Sequence, residues 1–499
     1  MNVRHVALVL FVVFATGWRS AAEERPNVIL FIADDVSWND VGCYGNTAAR
    51  TPHIDALASR GIRFDRAFLT ASSCSPSRSS IITGRYPHNT GKAAELHQAI
   101  SGHLPWFPEL LRDAGYYTAL SGKHHMKTSA PQSGPGTRPR AFDHVDQGRT
   151  PDNSGGHANW VRVVRHRPRD KPFFFWFAAN DAHRRWDGDV QWDTERYGPM
   201  HSPGDVVVPP FLSDDPETRR DLASYYNEVT RFDFFVGSVV AELTQQGVLE
   251  NTLIYVMADN GRPFPRAKTR LHDSGMRTPL VAHWPDGIVN VGPNPALVSA
   301  IDLAPTILSL TGAEIPETVQ GKSMVPLLRN TADSIRRYAF SEHNWHDYES
   351  HGRSVRTTDF VLVKNFRPRL PWQGPADSVR SPSHRRLLAL QQTGKLTAAQ
   401  QDVFLEPRPN VEFYNMSTDP YQLTNLAQQP RYGAGKEELL DILNQWMDRT
   451  GDSVPAGISP DTFDRETGER LPQPDTLPEI VLTPGEDRNA DLVNDPGPF

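Results

Sequence analysis

Val28-Ile29-Leu30-Phe31-Ile32-Ala33-Asp34-Asp35 is the stretch on which the fold turns. Six apolar residues end abruptly at two acids. The run is too short for an amphipathic helix and shows no polar alternation, which predicts a strand buried on both faces. Three further runs repeat the pattern. Tyr117-Thr118-Ala119-Leu120 ends at Ser121-Gly122-Lys123, Phe173 to Ala179 ends at Asn180-Asp181-Ala182-His183, and Leu253 to Ala258 ends at Asp259-Asn260. Helix-length segments separate them, so they predict parallel strands of an α/β sheet. Ligands of such sheets sit beyond the carboxyl ends of the strands, and all four runs deliver polar groups to that edge.

Segments His53 to Gly61, Trp106 to Gly115 and Tyr225 to Gly247 each read as a helix closed by Gly. Past about residue 335 the character changes to short strands, Tyr338–Ser341, Ser354–Thr357, Phe360–Val363 and Glu412–Asn415, then a helix from Lys436 to Thr450. The expected organisation is a large α/β domain over 23–335, with a mostly parallel central sheet flanked by helices. A smaller C-terminal α+β domain with an antiparallel sheet follows over 336–450. Residues 451–499 hold eleven acids, three bases and eight prolines, which predicts an extended or disordered acidic tail.

The 499 residues carry 52 Lys+Arg against 59 Asp+Glu, a net charge of −7. The tail contributes −8 and the first 22 residues +2, so residues 23–450 sum to −1. A near-neutral body, in a chain whose pI is near 6.2, argues against a nucleic-acid partner. Two cysteines exclude a disulfide scaffold and a Cys-based zinc ribbon. Arg4, the apolar run Val6 to Ala15 and Ser20-Ala21-Ala22 predict a signal peptide over 1–22 and export. The run is shorter than the ~20 residues a membrane anchor needs.

The most informative motif is Cys74-Ser75-Pro76-Ser77-Arg78, with Thr83-Gly84-Arg85 downstream and Arg50-Thr51-Pro52-His53 upstream. Polar neighbours of this kind do not suit a thiol buried in an apolar core. Here the chain resembles the sulfatase family, over residues 26 to about 450. That resemblance implies an alkaline-phosphatase-like large domain and oxidation of Cys74 to Cα-formylglycine, whose hydrated aldehyde attacks sulfur. It implies a formylglycine-generating enzyme as maturation partner and a sulfated oligosaccharide or polysaccharide as substrate.

Asp34, Asp35, Asp259 and Asn260 are all hard oxygen donors, suited to Ca²⁺, where Zn²⁺ would favour His or Cys. Taken alone, Asp34-Asp35 and Asp259-Asn260-Gly261 also read as turns after strands. The resemblance implies that these four, with Cys74 in its oxidised form, hold one Ca²⁺. It also implies roles for six residues. Cys74 is the nucleophile, Arg78 and Lys123 flank it, His125 assists release of sulfate, His183 protonates the leaving group, and Lys268 contacts sulfate. Asp259-Asn260-Gly261-Arg262-Pro263-Phe264-Pro265 and Gly352-Arg353-Ser354-Val355-Arg356-Thr357 are similar to the heparan N-sulfatase (sulfamidase) branch. Lys268 departs from it, because that branch carries Arg there, and a point charge replaces a fork.

Glu342-His343-Asn344-Trp345-His346-Asp347 is rich in hydrogen-bonding groups. It makes His343 and His346 candidate substrate contacts, or else an ordinary strand-end loop. Arg353 is a third candidate, for a uronate or sulfate, or for local acids. Two other readings stand beside the sulfatase one: a phosphodiesterase or phosphonate monoester hydrolase of the same superfamily, and a catalytically silent carbohydrate-binding protein. The sugar and the oligomeric state are not legible.

Overall fold

The computed structural model describes residues 25–130, 141–187, 189–472 and 482–499. The expected signal peptide lies outside the described residues. In chain order, the first ten strands are β1 (Asn27–Ala33), β2 (Ile62–Phe68), β3 (Ala99–Ile100), β4 (Tyr117–Gly122), β5 (Lys127–Thr128), β6 (His144–Asp146), β7 (Phe173–Ala178), β8 (Thr252–Ala258), β9 (Leu280–His283) and β10 (Gly292–Ser299). Eight of them form one sheet in the order β10-β2-β9-β8-β1-β7-β4-β6, parallel except where β9 meets β2 and β8. The four apolar runs are its centre, β8-β1-β7-β4.

Alternation along these strands explains why both faces are apolar. Val28, Leu30 and Ile32 enter one hydrophobic cluster, while Ile29, Phe31 and Ala33 enter the cluster on the opposite face. β7 divides in the same way, Phe174 and Trp176 to one side and Phe173, Phe175 and Phe177 to the other. Each such side chain, fully withdrawn from water, contributes about 1.5–3 kcal/mol. The helix Pro216–Gln245 covers the second face and begins nine residues before the sequence reading placed it, capped by Asp215.

A second sheet follows: β11 (Ala339–His346), β12 (Tyr348–Arg356), β13 (Phe360–Asn365) and β14 (Val411–Asn415), antiparallel and in that order. The helix Gly433–Arg449 packs on it through Leu439, Leu443 and Trp446. Among the described residues, no helix is long and apolar enough to cross a membrane.

The expectation of a loose tail is corrected. Residues 482–499 fold back over the segment that follows the Cys74 helix. Arg85 donates to the carbonyls of Val493 (2.7 Å) and Asp491 (3.2 Å), and Asn89 donates to that of Ala490. Proline blocks helix and ladder pairing, but it leaves carbonyls free for buried side-chain donors. Part of the tail's acidity is also matched, Asp452 by Arg353 and Asp495 by Arg449.

His343, His346 and Arg353 also differ from expectation. They lie within β11 and β12 and are 2%, 6% and 0% exposed. His343 stacks on Trp372, and Arg353 binds both Asp452 oxygens at 2.6 and 2.7 Å, with Glu342 at 3.5 Å. The acid partner of Arg353 comes from beyond residue 450, so the arginine ties the tail to the small sheet. Arg353→Met strands two buried carboxylates and is expected to cost about 3–5 kcal/mol. Urea unfolding reads that loss, while KM for a small sulfated substrate stays the same.

Candidate active site

The carboxyl ends of the central strands bring the polar residues together. Asp34 and Asp35 follow β1, Lys123 follows β4, His183 follows β7, and Asp259 and Asn260 follow β8. Cys74 opens the helix Cys74–Thr83, which Gly84 closes at φ +66°, a left-handed conformation that suits glycine. Asp34, Asp35, Asp259 and Asn260 are all fully buried. Asp35 is itself left-handed, at φ +62°, and so is His125, at φ +50°. Such backbone strain in non-glycine residues collects at functional sites.

Cys74 Sγ lies 3.7 Å from Asp34 Oδ1 and 3.9 Å from Asp35 Oδ1. The Asp35 amide donates to Asp259 Oδ1, and Asn260 Nδ2 donates to Asp35 Oδ1 at 2.6 Å. Asn260 Oδ1 is left buried with no partner. Three buried carboxylates and one orphaned carbonyl oxygen, all hard donors, suit a cation of the calcium type. Two of the three carboxylates and Cys74 place ligand atoms within 4.8 Å of one another.

Basic side chains compensate the acids. Arg78 Nε and Nη2 both bind Asp259 Oδ2 at 2.8 Å. Lys123 Nζ binds Asp34, and Lys268 Nζ binds Asp35 Oδ2 at 2.8 Å. Burial alone would lower the pKa of each base, but Asp259, Asp34 and Asp35 more than reverse this, so all three are held above their ordinary values. The Cys74 thiol is pushed far up, first by burial, so an unmodified Cys74 is a poor thiolate nucleophile.

The two histidines differ. His125 pairs through Nε2 with His97 Nδ1 at 2.8 Å, and burial, then Lys123 and Arg78, holds its pKa far below the usual range. It is therefore held neutral, and its Nδ1 is buried without a partner. His183 is the open one, with 36% of its side chain exposed. Its Nδ1 donates to the Arg184 carbonyl, which turns Nε2 toward Asp35 (4.0 Å) and Asp377 (3.8 Å). Arg184 is anchored bidentately by Asp221 at 2.7 and 2.8 Å. His124, the neighbour of His125, packs on Trp106.

Sequence reading missed Asp377 and His97. Asp377 Oδ2 lies 3.3 Å from Lys268 Nζ, at the start of the four-residue helix Ala376–Val379. An Asp in a first helical turn is so ordinary that no sequence signal separates it from a charge serving the helix end. His346 also enters the site: its Nδ1 hydrogen-bonds Ser73 Oγ at 2.7 Å, next to Cys74.

Residues 26–313 match the family described as Sulfatase, and 266–374 match the one described as N-sulphoglucosamine sulphohydrolase, C-terminal. The chain is similar to human N-sulphoglucosamine sulphohydrolase, 33% identical over 469 residues, covering 86% of this chain and 91% of that one. It is also similar to an ulvan-active sulfatase of Formosa agariphila, 29% identical over 477 residues, covering 86% and 76%. Two solved structures share the fold at low identity. One, in complex with its substrate D-glucosamine-2-N,6-O-disulfate, has a TM-score of 0.62 at 20% identity and covers 85% of this chain and 98% of that one. The other, the phosphonate monoester hydrolase of Agrobacterium radiobacter, has a TM-score of 0.61 at 18% identity and covers 84% and 95%. The architecture is the alkaline-phosphatase-like α/β fold, with a smaller antiparallel sheet appended.

Proposed function

The chain belongs to the sulfatase family and is a hydrolase, and from that premise we propose that it releases inorganic sulfate from a sulfated saccharide, with N-sulfated glucosamine of a heparan-type chain as the leading substrate. The observation that carries the reading is the meeting of Cys74 with four buried oxygen donors and three cations at one sheet edge. When bound, a calcium ion held by Asp34, Asp35, Asp259 and Asn260 would supply positive charge, and residue 74, oxidised by a formylglycine-generating enzyme, would supply a hydrated-aldehyde oxygen as nucleophile.

The chain's own residues do the rest. Lys123, on Asp34, and Lys268, on Asp35, neutralise charge on the sulfuryl oxygens, while Arg78 fixes Asp259 and the Lys123 carbonyl. His183, on the open side with Nε2 facing inward, delivers a proton to the departing nitrogen or oxygen. His125, joined to the residue-74 helix through His97 and Ser75, is the proposed proton acceptor on the residue-74 side when sulfate is released. Asp377 holds Lys268 in place. The reading includes export, as the leader-like first 22 residues suggest.

Sulfate release is to be measured by ion chromatography on N-sulfoglucosamine, 6-O- and 2-O-sulfated heparin disaccharides, ulvan oligosaccharides and one phosphonate monoester. Sulfate from N-sulfoglucosamine is the expected result. Turnover of the phosphonate alone, with no sulfate from any saccharide, overturns the reading.

A further inference from the structure

Three cavities adjoin along the face where the segment after β1 meets the small sheet, and none is lined by Asp34, Asp35, Cys74, Lys123, His183 or Lys268. The first, about 230 Å³, shares Trp38 and Tyr44 with the second, about 460 Å³. The second shares Thr358 with the third, about 500 Å³. Together they make a groove that runs from Tyr421 past Trp38 to the start of the helix Gly433–Arg449. One arginine lines the first cavity and three line each of the others, against the acids Asp65, Asp273 and Glu438. Arg262 and Arg336 are buried against Asp40 and Asp302, and Arg63 pairs Asp65, so the surplus positive charge rests on Arg66, Arg277, Arg337 and Arg431 over Asp273 and Glu438.

Four of these arginines lie over aromatic rings. Arg277 sits 3.5 Å from the centroid of Trp38, Arg431 4.8 Å from Tyr432, Arg63 5.3 Å from Tyr44 and Arg337 5.6 Å from Tyr338. A guanidinium laid on a ring keeps its N–H edge available, so the ring presets a fork for an oxyanion. Arg63 is held by Asp65 at 2.8 Å and by the Cys43 carbonyl, and Arg277 donates through Nη2 to the Asp65 carbonyl, so the free forks of the groove are those of Arg337 and Arg431. Arg337 and Arg431 are exposed and make no hydrogen bond or ion pair among the described residues, and Arg277 Nε has no partner.

We infer that this groove is a second binding site, distinct from the site that removes sulfate, and that its ligand is the chain of a sulfated polysaccharide. The inference rests on the reading that the substrate is a sulfated saccharide, and it adds that the polymer is gripped away from the reacting unit. Anionic substituents meet the guanidinium forks, and the rings between them offer apolar surface to sugar faces. A nucleic acid is the competing polyanion, set apart by its affinity in the titration below.

The test titrates a fluorescent heparin oligosaccharide into the full chain and into the double variant Arg337→Glu/Arg431→Glu, followed by anisotropy. Both residues are exposed, and a thermal melt checks that the variant folds. Loss of two charge-assisted contacts is expected to raise Kd by roughly tenfold to a hundredfold. An unchanged Kd overturns the groove, and so does equal affinity for single-stranded DNA of the same charge. Binding needs no turnover, so the two readings fail separately. Sulfate release with an indifferent heparin Kd removes the groove alone, and a groove-dependent Kd without sulfate release removes the catalytic reading alone.

Discussion

Cys74→Ala is expected to lower kcat on N-sulfoglucosamine by about 10⁴-fold or more, because it removes the proposed nucleophile. The same variant should melt close to the parent. The helix it opens is fixed elsewhere, by Arg78 on Asp259 at 2.8 Å, by the Ser77 amide on the Ser73 carbonyl at 2.9 Å and by Gly84 at its end. Removing one buried sulfur leaves a small void, a minor cost beside those ties. Two measurements separate the possible roles. Peptide mass of the parent should show residue 74 with its thiol replaced by an aldehyde. A parent peptide carrying an intact thiol, or a variant that retains turnover, overturns the assignment of residue 74 as nucleophile. A variant that loses activity only because it unfolds is exposed by the melt.

The parts of this site that were legible in the sequence are those tied to strand ends. A buried parallel strand announces itself by continuous apolar residues, so Asp34, Lys123, His183 and Asp259 could be assigned to one edge before any coordinates. Chain segments without such a period gave no purchase. Asp377 belongs to a four-residue helix far along the chain, and nothing local marks it as meeting Lys268. His343, His346 and Arg353 read as loop residues rather than strand residues for a related reason. Polar residues inside an antiparallel strand read like a loop unless their partners are known, and the partner of Arg353 is Asp452. The tail shows the same limit, since its acidity and prolines describe composition, while its docking depends on Arg85 and Asn89 waiting elsewhere.

Lys268→Met is the second variant with a large expected effect, and it acts on stability and chemistry together. Lys268 Nζ is fully buried between Asp35 Oδ2 at 2.8 Å and Asp377 Oδ2 at 3.3 Å. Removing it leaves two buried carboxylates without their shared cation, a loss of about 3–5 kcal/mol in calcium-free buffer. The pH dependence has a definite sign. Burial would raise the Asp377 pKa, but Lys268 overrides it and holds the carboxyl below 3.8. A depressed folded pKa stabilises above the unfolded value and loses that contribution as pH falls through the folded one. The deficit of the variant should therefore be full at pH 7 and shrink below about pH 4, as Asp377 takes up a proton. Calcium is expected to restore only part of it, because Asp377 is not among the proposed ligands. Turnover should fall by about 10²–10³-fold, the usual loss for a donor aimed at developing charge. Lys268→Arg should recover most of the stability by spanning both carboxylates, and its kcat shows whether a fork serves the sulfuryl group as well as a point charge. Equal urea midpoints for Lys268→Met and the parent at pH 7 would mean that Lys268 does not compensate Asp35 and Asp377, and that a cation already bound at the site does so instead.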